Sequence, residues 1–157
     1  MEKYEELLVA IRRVIRAIDL RSKKLSKDVG ITGPQLLVIQ ELGADPGITA
    51  KQVSDIVNLS QATVTSILDR LESKGMVERV RSESDRRRIA LYLTDLGKST
   101  LKSAPRSMED SFIDKFSTLE DWEQSLLLSS VQRVANMMDA NDLDAAPILN
   151  IGDITPK

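Results

Sequence analysis

The chain has 157 residues, the size of one ordinary domain, and its 41% hydrophobic and 29% charged content is the balance of a soluble protein able to bury a core. It contains no cysteine and no histidine, which excludes disulfides, thiolate nucleophiles, imidazole bases and nearly every common zinc site; neither metal nor cofactor is expected. No apolar run approaches the about 18 residues that cross a bilayer, and Met1-Glu2-Lys3-Tyr4-Glu5-Glu6 is acidic where a secretory signal is basic and then apolar, so a cytoplasmic protein without membrane contact is expected.

In chain order, Leu8, Ile11, Val14, Ile15 and Ile18 recur at helical spacing and predict a long first helix from about Lys3 to about Lys27, ending near Gly30. Thr32-Gly33-Pro34-Gln35 reads as a capping box ahead of Leu36, Leu37, Ile39 and Leu42, with a stop at Gly43. Thr49-Ala50-Lys51-Gln52 repeats that pattern ahead of a short third helix carrying Val53, Ile56 and Val57. Asn58 tolerates the left-handed backbone of a tight turn, and Ser60 can cap the helix that follows. In that fourth helix Val64, Ile67, Leu68 and Leu71 form one apolar stripe, closed by Gly75.

Opposite the stripe, at about 100° per residue, lie Ala62, Ser66, Asp69 and Ser73, flanked by Thr63 and Arg70 on one side and Gln61 and Thr65 on the other. Glu and Lys would make a better merely solvated helix; small hydroxyls, a Gln and an Ala instead suit the base edges of a major groove. A plain three-helix core with incidental Ser and Thr remains the alternative. Next come two alternating runs, Met76 to Arg81 and Ile89 to Leu93, joined by a polar tip containing Asp85-Arg86-Arg87-Arg88. Two strands beside helices make a wing, and an arginine tip can enter a narrow minor groove or simply be a solvated turn.

Charge is divided along the chain. Residues 1–104 carry 18 Lys/Arg against 14 Asp/Glu, and residues 105–157 carry 4 against 10. The basic part contains a stretch from Arg12 to Lys27, readable equally as a solvated helix face, and another from Arg70 to Arg88. The acidic part is expected to face away from DNA. Ala104-Pro105 should break or kink the helix that starts after Thr94. From Ser117-Thr118-Leu119-Glu120, a further capping pattern, Leu119, Trp122, Leu126, Leu127, Val131, Val134, Met137 and Met138 run along a last helix. These side chains are expected to pair with the first helix, where Ile11 lies, and with a second copy of both; a bundle within one chain is the alternative. The segment 142–157 is a tail too apolar at Ala146 to Ile151 to be indifferent, and either docks on the dimer or extends from it. With no phosphate-binding glycine loop and no clear acid pair, an enzyme is not expected.

The ordered set Thr63-Val64-Thr65, Asp69-Arg70-Leu71-Glu72, Lys74-Gly75, Asp85-Arg86-Arg87 and Leu91-Tyr92-Leu93-Thr94 with Gly97 resembles the MarR family of transcriptional regulators over roughly Glu5 to Met138. The resemblance implies a mainly α fold with a small β-hairpin wing, a winged helix-turn-helix over 31–94, and flanking dimerisation helices over 1–30 and 95–141. It implies a homodimer on palindromic double-stranded DNA, acting as a repressor and released by a small-molecule effector or an oxidant. By position, Ser60, Gln61, Ala62, Thr63, Thr65 and Ser66 would enter the major groove, Arg70 and Arg86 would meet the backbone, Arg87 the minor groove, and Asp85 would support the wing. The family's oxidant sensors use a cysteine in the first helix, which is absent here. Stretches Lys3 to Arg13, Arg16 to Asp19 and Gly33 to Leu37 are similar to MarR-type regulators of ectoine and other compatible-solute synthesis, which implies osmoprotectant genes as targets. Few aromatic residues are available for a ring-stacking pocket; Arg16 and Asp19 present charge either to a polar solute or to each other. The same winged fold could also serve as a protein-interaction module.

Overall fold

The computed structural model describes residues 2–143 and Leu149. Its elements are α1 (Lys3–Val29), α2 (Gly33–Ala44), α3 (Ala50–Val57), α4 (Gln61–Ser73), β1 (Val77–Arg81), β2 (Ile89–Leu93), α5 (Asp95–Ser103), α6 (Met108–Ser117) and α7 (Asp121–Met137). Two compact units result, the first built on Met1–Pro105 and the second on Arg106–Ala146. No helix among the described residues is long and apolar enough to cross a membrane.

In the first unit the boundaries follow side-chain capping. Glu2 and Glu5 form a capping box at the start of α1, and Gly30 ends it in the left-handed region at φ 76°, its N–H donating to the Ser26 carbonyl. Thr32 with Gln35, and Thr49 with Gln52, close reciprocal capping boxes on α2 and α3. Asn58 takes φ 52° between α3 and α4, and the Ser54 hydroxyl donates to the Leu59 carbonyl at 2.7 Å, closing the turn. α5 stops at Ala104, which is extended (ψ 136°) because the following Pro105 disfavours a helical residue before it.

The core lies between α2, α3, α4 and the hairpin. α2 buries Leu36, Val38, Ile39 and Leu42, and α4 contributes the stripe of Val64, Ile67, Leu68 and Leu71, with Val77, Leu91 and Leu93 closing from the strands. Each such side chain is worth about 1.5–3 kcal/mol on burial, so the stripe fixes which face of α4 looks outward. The strands pair antiparallel, Val77 opposite Leu93 and Arg81 opposite Ile89. A third backbone rung joins them: Gly47 N–H donates to the Leu91 carbonyl at 2.9 Å, and Leu91 N–H to the Ile48 carbonyl at 3.0 Å. The wing is thus hydrogen-bonded to the segment before α3 as well as being a hairpin.

In the second unit Arg106 pairs with Asp114 at 2.6 Å, and the rings of Phe112 and Phe116 stack at 5.4 Å. The last helix begins later than its apolar pattern suggests. Thr118 caps the end of α6, Leu119 lies in the turn, and the capping box is formed by Glu120 and Glu123 instead of starting at Ser117. The Gln124 amide explains the shift, since its Nε2 donates to the carbonyls of Phe116 (3.2 Å) and Leu119 (3.0 Å) and satisfies the end of α6. No residue of α6 or α7 is buried. Trp122, Leu126 and Val131 are 66%, 58% and 66% exposed, whereas Leu119 and Val134 are half-buried. Ile11 of α1 is half-buried too, beside exposed Leu7, Leu8, Val14 and Ile15. Most of the tail expected over 142–157 lies outside the described residues.

Candidate nucleic-acid interface

Helix α4 presents the residues expected of a reading face. Ser60, Gln61, Ala62 and Thr65 are exposed, and Thr63, Ser66 and Arg70 half-buried. They are not equivalent. The Ser60 hydroxyl accepts the Thr63 N–H at 3.1 Å and lies 2.7 Å from the Thr63 hydroxyl, so this pair is engaged in capping its own helix. Among the described residues the side chains of Gln61, Thr65 and Ser66 have no hydrogen-bond partner in the chain, which leaves their polar atoms available to a ligand.

The wing tip is shaped by its own polar groups. Asp85 Oδ1 accepts the Arg87 N–H at 3.0 Å, Ser82 Oγ accepts the Asp85 N–H at 3.3 Å, and the Ser82 and Arg88 N–H groups donate to the carbonyls of Arg88 and Asp85. The tip is therefore a closed turn from which the exposed Arg86, Arg87 and Arg88 project.

Between wing, α3 and α4 lies an open cleft of about 560 Å³ lined by Lys51, Gln52, Gln61, Asp85, Arg87 and Arg88 among others. It places three cations around a single acid, whose Oδ1 already accepts a backbone N–H. The start of α3 adds the positive end of a helix dipole. Arg88 belongs to the arginine tip read from sequence, whereas Lys51 was not singled out there as a site residue. Only the fold brings Lys51 to the wing, through the Ile48–Leu91 rung just before it.

Arg79, also missed, sets wing against helix. From β1 its guanidinium donates to Asp69 Oδ1 and Glu72 Oε2 on α4, both at 2.6 Å. Burial pulls this group down, but the hydrogen bonds and charges of Asp69 and Glu72 outweigh it and hold it above its ordinary value. On α1, Asp19 pairs with Arg16 at 3.2 Å and with Lys23 at 2.9 Å, so of the two sequence readings the surface salt bridge is the one formed. Among the described residues no group of acids could hold a metal ion.

Residues 29–88, which span α2 through the wing tip, match the MarR family. Residues 29–88 therefore carry a MarR-family domain. The chain's relatives include the uncharacterized HTH-type transcriptional regulator YdgJ of Bacillus subtilis, 29% identical across 89% of this chain and 82% of that protein. The PcaV transcriptional regulator of Streptomyces coelicolor, solved with its natural ligand, is 28% identical and superposes with a TM-score of 0.58 over 82% of this chain and 91% of its own. FabT of Streptococcus pneumoniae, solved in complex with DNA, is 27% identical with a TM-score of 0.55 over 87% and 96%. Like these proteins, the chain is a DNA-binding transcriptional regulator with a winged helix-turn-helix, and not an enzyme.

Proposed function

We propose that the chain acts as a cytoplasmic homodimer on a palindromic operator, usually as a repressor, with Gln61, Ala62, Thr65 and Ser66 reading base edges and Ser60 and Thr63 shaping the start of α4 at the major groove. Arg87 enters the adjacent minor groove, Arg86 and Arg70 meet phosphates, and Asp85 supports the tip. Lys51 and Arg88 line the path of the strand between the two grooves. The observation that carries this reading is the continuity of α4's polar face, through Gln61, with the cationic cleft under the wing. A duplex backbone running from major to minor groove matches both its charge and its direction.

Residues 1–30 and 95–141 form the dimerisation region in this reading, with Ile11, Leu119, Trp122, Leu126 and Val134 at the contact. Osmoprotectant genes are the targets, on the resemblance of the first helix and the start of α2 to compatible-solute regulators. A small-molecule effector releases the operator, as the ligand-bound form of PcaV suggests for this fold. Selection of bound fragments from random DNA tests the core of the proposal. Enrichment of a dyad-symmetric site with half-site centres about 10 bp apart is the expected result. Failure to enrich any fragment would favour a winged protein-interaction module instead.

A further inference from the structure

Lys74 follows α4 as its C-cap and takes no part in the DNA contacts proposed above. Its ammonium crosses to the corner where α1 ends and α2 begins, donating to the Gly30 carbonyl at 2.7 Å and to Gln35 Oε1 at 3.2 Å. Gln35 is only 2% exposed, and the same oxygen accepts the Thr32 N–H at 3.1 Å. One side chain therefore ties the end of the reading helix to the C-cap of α1 and the first turn of α2, across 44 and 39 residues of sequence. Both acceptors are neutral oxygens. Partial burial, with repulsion from Arg70 added, lowers the ammonium below its ordinary value.

We infer that Lys74 is a positioning residue which fixes the angle between α1 and the reading helix and thereby sets the half-site spacing that the dimer accepts. The inference rests on the dimeric reading of the preceding subsection. The lever is long: α1 has 27 residues, about 40 Å at 1.5 Å per residue. A tilt of about 5° at the Gly30 corner moves its far end by about 3.5 Å, comparable to one base-pair step. If α1 helps to join the two copies, a loose corner is read out as loose spacing.

The test uses the full chain as wild type, Lys74→Met and Lys74→Arg. Affinities are measured on the selected operator, on versions with one or two base pairs added or removed between half-sites, and on versions with bases changed inside a half-site. Lys74→Met should reduce the penalty for a one-base-pair change in spacing by about 5-fold or more, the low end of typical site-to-site coupling, while leaving the ranking of half-site bases intact. Lys74→Arg keeps the donors and should restore the wild-type profile. Lys74→Gln carries the same arm should Lys74→Met not fold. A wild-type spacing profile in Lys74→Met, or in Lys74→Gln where that stands in for it, overturns the inference. So does loss of base ranking together with spacing, which would mean that Lys74 only stabilises α4. A wild-type protein that selects no dyad-symmetric site removes the dimeric reading and the inference with it, and is seen before any variant is made.

Discussion

At the scale of single residues, the winged region separates side chains with similar sequence credentials. Gln61 and Thr63 both lie on the outward face of α4, yet the Thr63 hydroxyl is within bonding distance of Ser60 and Gln61 has no partner among the described residues. Gln61→Ala should therefore cost about 1–3 kcal/mol on the best operator and relax preference at particular base positions, read by competition against permuted sites. A uniform loss on all DNA would remove the direct-readout assignment. Arg87→Ala should weaken operator binding severely and lower the slope of log affinity against log salt by about one counterion. Arg106→Ala is the control, because Arg106 pairs with Asp114 in the acidic second unit; equal effects from both would make the arginine tip a solvated turn. What the sequence could not supply was Lys51 and Arg79 as members of the site. Arg79 meets Asp69 and Glu72 only because the hairpin folds back along α4, 10 and 7 residues away.

At the scale of elements, legibility tracked the chemistry of helix ends. Thr32 with Gln35, Thr49 with Gln52, Asn58, Ser60 and Gly30 carry local signals, and each sits at the expected boundary. The start of α7 was misjudged because Ser117-Thr118-Leu119-Glu120 satisfies the capping pattern, but the Gln124 amide caps α6 from further along the chain. Non-local hydrogen bonds leave no periodic trace, and for the same reason the Gly47–Leu91 rung was invisible. Packing between elements is equally silent in sequence, and Gly97 is the clearest case. An added Cβ would lie 2.1 Å from the Met76 carbonyl oxygen, where α5 crosses the start of the hairpin. The obstacle is backbone that the Thr94 N–H also bonds, so it cannot swing aside. Gly97→Ala should destabilise by about 1–3 kcal/mol or more, lowering the thermal midpoint by roughly 3–10 °C. Gly30→Ala meets no atom within 4 Å, and its cost should be limited to the left-handed backbone, about 1–2 kcal/mol. Calorimetry that ranks the two the other way would show that α5 can shift off the hairpin.

At the scale of the whole molecule, the open question is what covers α7. Its apolar side chains follow helical spacing over 17 residues, yet none is buried, and Trp122, Leu126 and Val131 stand mostly in water in a single copy. A soluble chain seldom leaves so continuous a patch uncovered, and a second copy offers the same apolar surface in return. Charge favours the same arrangement, because an acidic second unit would weaken DNA binding if it faced the duplex and does no harm at the far side of a dimer. Leu126→Glu should then convert the protein to monomer at micromolar concentration, measured by sedimentation, without unfolding the first unit, whose core contains no residue of α7. DNA binding should fall with it, since one α4 and one wing would engage only a half-site and the linked second contact would be lost. The loss should be small on a single half-site and large on the dyad. A variant that stays dimeric would assign the interface elsewhere, and a monomer that binds the dyad as tightly as wild type would mean that the two reading heads never acted together.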